Sequence, residues 1–85
     1  MEYVNYVLQN QRGRYLMPCD EPKRNKFCRD PRYALTFEKL WVAKMLAEHI
    51  NKDYDDNKMV DEDGKAEHVH IVKMTSTVVL ENVIV

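Results

Sequence analysis

Apolar positions recur at intervals of three and four residues through Phe37–Ile50 (FEKLWVAKMLAEHI), the spacing of a helix that faces a core. Leu40, Val42, Ala43, Leu46, Ala47 and Ile50 make one broad apolar face, with alanines small enough for close approach to a sheet. A second row, Phe37, Trp41 and Met45, runs at i, i+4, i+8 on another side, with Lys44 between it and Leu40. A small domain buries one such face easily. The second needs a cover: either the long loop before the helix, folding over it through Phe27 or Tyr33, or a partner. Thr36 is the expected N-cap, with Glu38 favourable in the first turn. The helix is expected to end near Ile50 or Asn51, and Asn51–Asn57 to be a polar loop.

Elsewhere the pattern is that of strands. Tyr3–Leu8 is rich in aromatic and β-branched residues. Asn10–Gly13 is a turn, Arg14–Met17 a short second strand, and Pro18 its end, because proline gives no N–H to a ladder. Together they predict an N-terminal β-hairpin. Cys19–Arg32 reads as a loop of fourteen residues, long for a compact domain. Lys58–Val60 is a short strand, followed by a turn at Asp63-Gly64. Glu67–Met74 is a strand with His68, His70, Val72 and Met74 on one face; Thr75-Ser76 breaks it. Thr77–Leu80 and Val83–Val85 are further β-rich runs. The expectation is a single α+β domain spanning 1–85: an N-terminal β-hairpin and one central α-helix packed on a mainly antiparallel sheet of four to five strands.

Composition changes this picture little. The chain has 85 residues, 45% apolar and 32% charged, the make-up of one small globular domain. No apolar run reaches the length of a membrane helix, and the N-terminus has no signal-peptide pattern, so a cytoplasmic protein with reduced Cys19 and Cys28 is expected. The charge is uneven. Residues 1–44 carry nine Lys/Arg against five acids, and 45–85 four lysines against nine acids. That asymmetry fits charged partners or head-to-tail self-association, and equally loops that differ in charge.

Candidate chemistry is sparse. Cys19, Cys28, His68 and His70 are zinc-ligand types at spacings unlike those of familiar sites, so no metal is assigned. Asp53-Tyr54-Asp55-Asp56-Asn57 begins like a calcium loop, but Lys58 and Gly64 stand where Gly and Glu are required. There is no phosphate loop, nucleophile elbow or HExxH, and no second catalytic group beside a histidine, so no enzyme and no cofactor is expected. Lys23, Arg24, Lys26, Arg29 and Arg32 cluster near Phe27 and Tyr33, a nucleic-acid pattern, diluted by Asp20, Glu21 and Asp30 and by an isoelectric point of about 6.3.

The reading that follows is a non-catalytic protein-binding module: a homodimer, or a small inhibitor or adaptor of a larger protein. Phe37, Trp41 and Met45 are the expected apolar anchor. Lys23, Arg24, Lys26 and Arg29, or Asp53, Asp55 and Asp56, are expected to orient the partner. With Asp61, Glu62, Asp63 and Glu67 the acidic segment holds seven acids, enough to occupy a nucleic-acid groove on a target enzyme. The alternative is a nucleic-acid-binding module using the basic loop Lys23–Arg32. No membrane partner is expected. In size, charge and compactness the chain is similar to the short accessory proteins of bacteriophages, with no motif behind the likeness; it implies a modulator of a host or defence enzyme.

Overall fold

The computed structural model describes residues 2–21 and 23–77. They form β1 (Glu2–Gln9), β2 (Tyr15–Met17), β3 (Arg24–Cys28), a 3-10 turn (Pro31–Tyr33), α1 (Leu40–Asp55), β4 (Val60–Asp61) and β5 (His70–Thr77). The strands make one five-stranded sheet in the order β4-β3-β2-β1-β5, antiparallel except where β3 meets β4. One helix on a mostly antiparallel sheet is the expected α+β architecture. Val78–Leu80 and Val83–Val85 lie outside the described residues.

The N-terminal hairpin forms as the turn chemistry requires. Gly13 takes φ 78 and gives its N–H to the Asn10 carbonyl at 3.1 Å. The buried Asn10 side chain accepts from the N–H groups of Arg12 and Arg14. Alternation then sets the two faces of the sheet. Leu8, Leu16 and Phe27 stand side by side on the inner face and pack with Ala43, Ala47, Ile50, Tyr54 and Val69. Residues one step away, such as Arg24, Lys26 and Met74, belong to the outer face.

Several expectations about the elements are overturned. The segment Cys19–Arg32 is not one loop. It holds β3, because Phe27 supplies a core residue and Tyr15–Met17 an edge for it to pair with. Second, the helix begins at Leu40, not beside Thr36. Phe37 exchanges backbone bonds of 2.8 and 2.9 Å with Tyr6, so its backbone serves the sheet; Lys39 is the N-cap and makes no side-chain cap bond. Third, the helix runs to Asp55, one turn past the expected end, because Tyr54 is a core residue. It stops in a Schellman turn: Asn57 takes φ 59, its N–H bonds Tyr54 O at 3.1 Å, and Lys58 N–H bonds Asp53 O at 2.8 Å. Fourth, the C-terminal strand starts at His70 rather than Glu67 and runs unbroken through Thr75-Ser76, held by continuous pairing from Glu2↔Thr77 to Gln9↔His70. The turn at Asp63-Gly64 forms, with Gly64 at φ 80, but it does not join neighbouring strands: β4 and β5 are opposite edges of the sheet.

Candidate partner-binding face

α1 has two unlike sides. Ala43, Ala47, Ile50 and Tyr54 repeat at i, i+4, i+7, i+11 and are buried against the sheet. Val42 and Leu46 are half-buried at the margin. Beyond them Leu40, Trp41 and Met45 are 50%, 60% and 61% exposed. The long segment before the helix does not cover this row. Phe27 points into the core, and Tyr33 is itself 64% exposed. Leu40, assigned above to the core-facing side, is on the solvent side, because the helix starts there and the sheet-facing stripe begins only at Ala43.

Trp41, Val42, Met45, Leu46 and His49 line an open groove of about 380 Å³. Val42 also borders a smaller hollow beside Thr36, Phe37, Glu38 and Lys39. The half-buried Phe37 packs against the core, with an edge in that hollow. The result is an apolar strip along the first three turns of α1, with His49 at its far end. His49 faces Asp53 one turn on, at 3.3 Å.

The charged residues assigned to partner orientation are not gathered around this strip. Asn25 and Phe27 face α1, so Arg24 and Lys26 project from the other side of the sheet. Lys23 is an exposed turn residue with φ 62, and Arg29 is exposed just past β3. Arg32 closes on Asp30, whose carboxyl it holds below the ordinary carboxylate value. On the acidic side, Asp53 and Asp55 are helix residues and Asp56 is the C-cap, where acids are unfavourable to the helix dipole. Asp55 meets His68 at 2.7 Å. The basic strand lies apart from the apolar strip, and of the acids Asp53 alone reaches its end, through His49.

A fourth feature escaped sequence reading. Asp61 in β4 is 1% exposed, accepts a short hydrogen bond from the Tyr54 hydroxyl, and lies 3.8 Å from Arg12 in the β1–β2 turn. Tyr54 accepts in turn from Asn25 Nδ2 at 3.0 Å. Arg12 also reaches Asp63 at 2.6 Å and Glu67 at 3.3 Å. Burial pushes the Asp61 carboxyl above its ordinary value, and burial with the Asp61 contact pushes the Tyr54 hydroxyl up. Hydrogen bonding to Arg12 pulls Asp63 down. The partners are distant in sequence, and no motif spacing links them. What they do is mechanical: one arginine ties the hairpin turn to the segment 61–67, and one tyrosine ties α1 to β4.

Cys19 and Cys28 are free thiols. Burial raises the Cys28 thiol, whose one S–H lies within reach of the Asp30 carbonyl at 3.2 Å and the Tyr15 carbonyl at 3.5 Å. His70 bonds Gln9 at 2.9 Å. Among the described residues no three of His, Cys, Asp and Glu are grouped to hold a metal ion. No helix among them is long and apolar enough to cross a membrane. No family model, curated protein or solved structure matches the chain.

Proposed function

We propose that the chain is a non-catalytic protein-binding module, an inhibitor or adaptor that docks a larger protein on the α1 strip. The observation that carries this reading is the trio Leu40, Trp41 and Met45, each at least half exposed on a helix whose opposite side is fully used by the core. Tryptophan and methionine are enriched at protein contacts, and a Trp beside an open apolar groove is the usual form of an anchor residue. The buried Asp61–Tyr54 pair supports a structural rather than a chemical role, since almost none of Asp61 meets solvent. The test is affinity capture from lysate with wild type, Trp41→Glu and the control Lys44→Glu. A protein retained by wild type and the control but lost with Trp41→Glu supports the reading, once binding is repeated with that protein purified. Retention by all three, or by none, removes it.

A second reading has one observation in its favour. Arg24 and Lys26 are exposed on the same outer face of β3, where the alternation of the strand aligns them for phosphates. Phe27, the expected stacking partner, is in the core and unavailable to a base. Binding of a short oligonucleotide that falls with salt and is lost in Arg24→Ala/Lys26→Ala would establish this reading; no shift at low salt would end it.

A further inference from the structure

β5 is one edge of the sheet and eight residues long; the other edge, β4, has two. The direction of its free backbone groups follows from the register. Tyr6 stands opposite Lys73, yet Tyr6 exchanges its N–H and C=O bonds with Phe37. Tyr6 and Lys73 are therefore a pair without mutual hydrogen bonds, and Lys73 turns its N–H and C=O away from β1. By the same alternation so do Ile71, Thr75 and Thr77. Among the described residues no backbone group meets those of Ile71, Lys73 or Thr75. Such a row is a template for another strand.

We propose that this edge pairs with β5 of a second copy, antiparallel about a two-fold axis at Met74, so that the two sheets become one. Charge and the number of backbone bonds closed select the register. Centring the pair on Lys73 sets two lysines directly opposite, which is unfavourable. Centring it on Met74 sets Lys73 opposite Thr75 and the backbone of Ile71 opposite that of Thr77, closing about eight hydrogen bonds. Every outward group from Ile71 to Thr77 then has a partner and no lysines stand directly opposite, a complementarity that an unrelated strand would have to match by chance. Met74 meets its own mate in the closely spaced kind of pair. It lies on the outer face, since Ile71, three residues earlier, packs on the core. Val72, half-buried on the same face, flanks it. Lys73 thus opposes the register centred on itself.

Two variants test this in a Cys19→Ser, Cys28→Ser background. Met74→Cys should give, on mild oxidation, a covalent species of twice 10.1 kDa. Lys73→Cys, whose partner position is Thr75, should not. Independently, light scattering should find wild type a dimer at micromolar concentration and Lys73→Pro a monomer with an unchanged far-UV spectrum. That proline removes an N–H which β1 does not use, and edge strands tolerate it. If Lys73→Pro does not fold, the cross-link decides alone. A wild-type monomer at millimolar concentration overturns the proposal, and so does a dimer without the Met74→Cys cross-link. Trp41→Glu should remain dimeric; a dimer lost with Trp41→Glu and kept with Lys73→Pro would move the self-interface to α1.

Discussion

The two sides of α1 are both apolar and have opposite fates. The side that meets the sheet is Ala43, Ala47, Ile50 and Tyr54; the side that meets solvent is Leu40, Trp41 and Met45. Periodicity alone marks both. What separates them is size and order. Two small alanines and the larger Ile50 and Tyr54 share one core cluster with Leu8 and Leu16 of the sheet. The large flexible side chains stand where no element follows. The helix puts its smallest residues against the core and its one tryptophan in solvent.

The largest effects are expected on the buried side. Ile50→Ala should cost about 2–4 kcal/mol in a urea unfolding series, because it deletes methyl groups from a site with no slack. A loss under about 1 kcal/mol would mean that the helix is not docked as described. Tyr54→Phe should follow at about 1–3 kcal/mol, since it leaves the buried Asp61 carboxyl and the Asn25 amide short of a partner. An unchanged midpoint would show that a water replaces the hydroxyl.

The buried Asp61 carboxyl makes the stability of the core side depend on pH. Burial raises its value in the folded state, so the folded chain holds that proton more tightly than the unfolded one. The ionised form therefore costs stability at neutral pH. The cost is absent below the unfolded value of about 3.9 and grows as pH rises toward the folded value. Asp63 works in the opposite sense: Arg12 lowers it, and its contribution is lost as pH falls through that lowered value. Asp61→Asn removes the first effect and leaves the second. Its stability relative to wild type should be higher at pH 7 than at pH 4, read from urea midpoints. A difference that does not change with pH would show that burial does not govern this carboxyl.

These residues also explain what could be read from the chain. The hairpin was legible because Asn10 and Gly13 carry their turn chemistry locally, and the helix because its stripe spans about three turns. The apolar row on α1 was legible as surplus, but Leu40 was misassigned, since spacing does not say where the neighbouring sheet begins. β3 was hidden because its sequence, RNKFC, carries one core residue and two outward cations; only its pairing with Tyr15–Met17 makes it a strand. The reach of the helix to Asp55 turned on Tyr54, which looks like one aromatic in an acidic loop until Asp61 and Asn25 are brought to its hydroxyl. Long-range polar partners leave no local signature.

The smallest expected effect is on the exposed side. Trp41→Glu should change stability by no more than about 0.5 kcal/mol, because a 60% exposed side chain leaves no cavity and strands no polar group. The wild-type chain should show the matching optical sign: its one tryptophan should emit as a solvated indole and be quenched freely by acrylamide. Binding of a partner on the strip should shift that emission to the blue and shield it. If Trp41→Glu instead costs as much as Ile50→Ala, the row is core, something covers it, and the two sides of α1 are alike after all. A stable, folded Trp41→Glu chain that has lost its partner would confine the role of that side to binding.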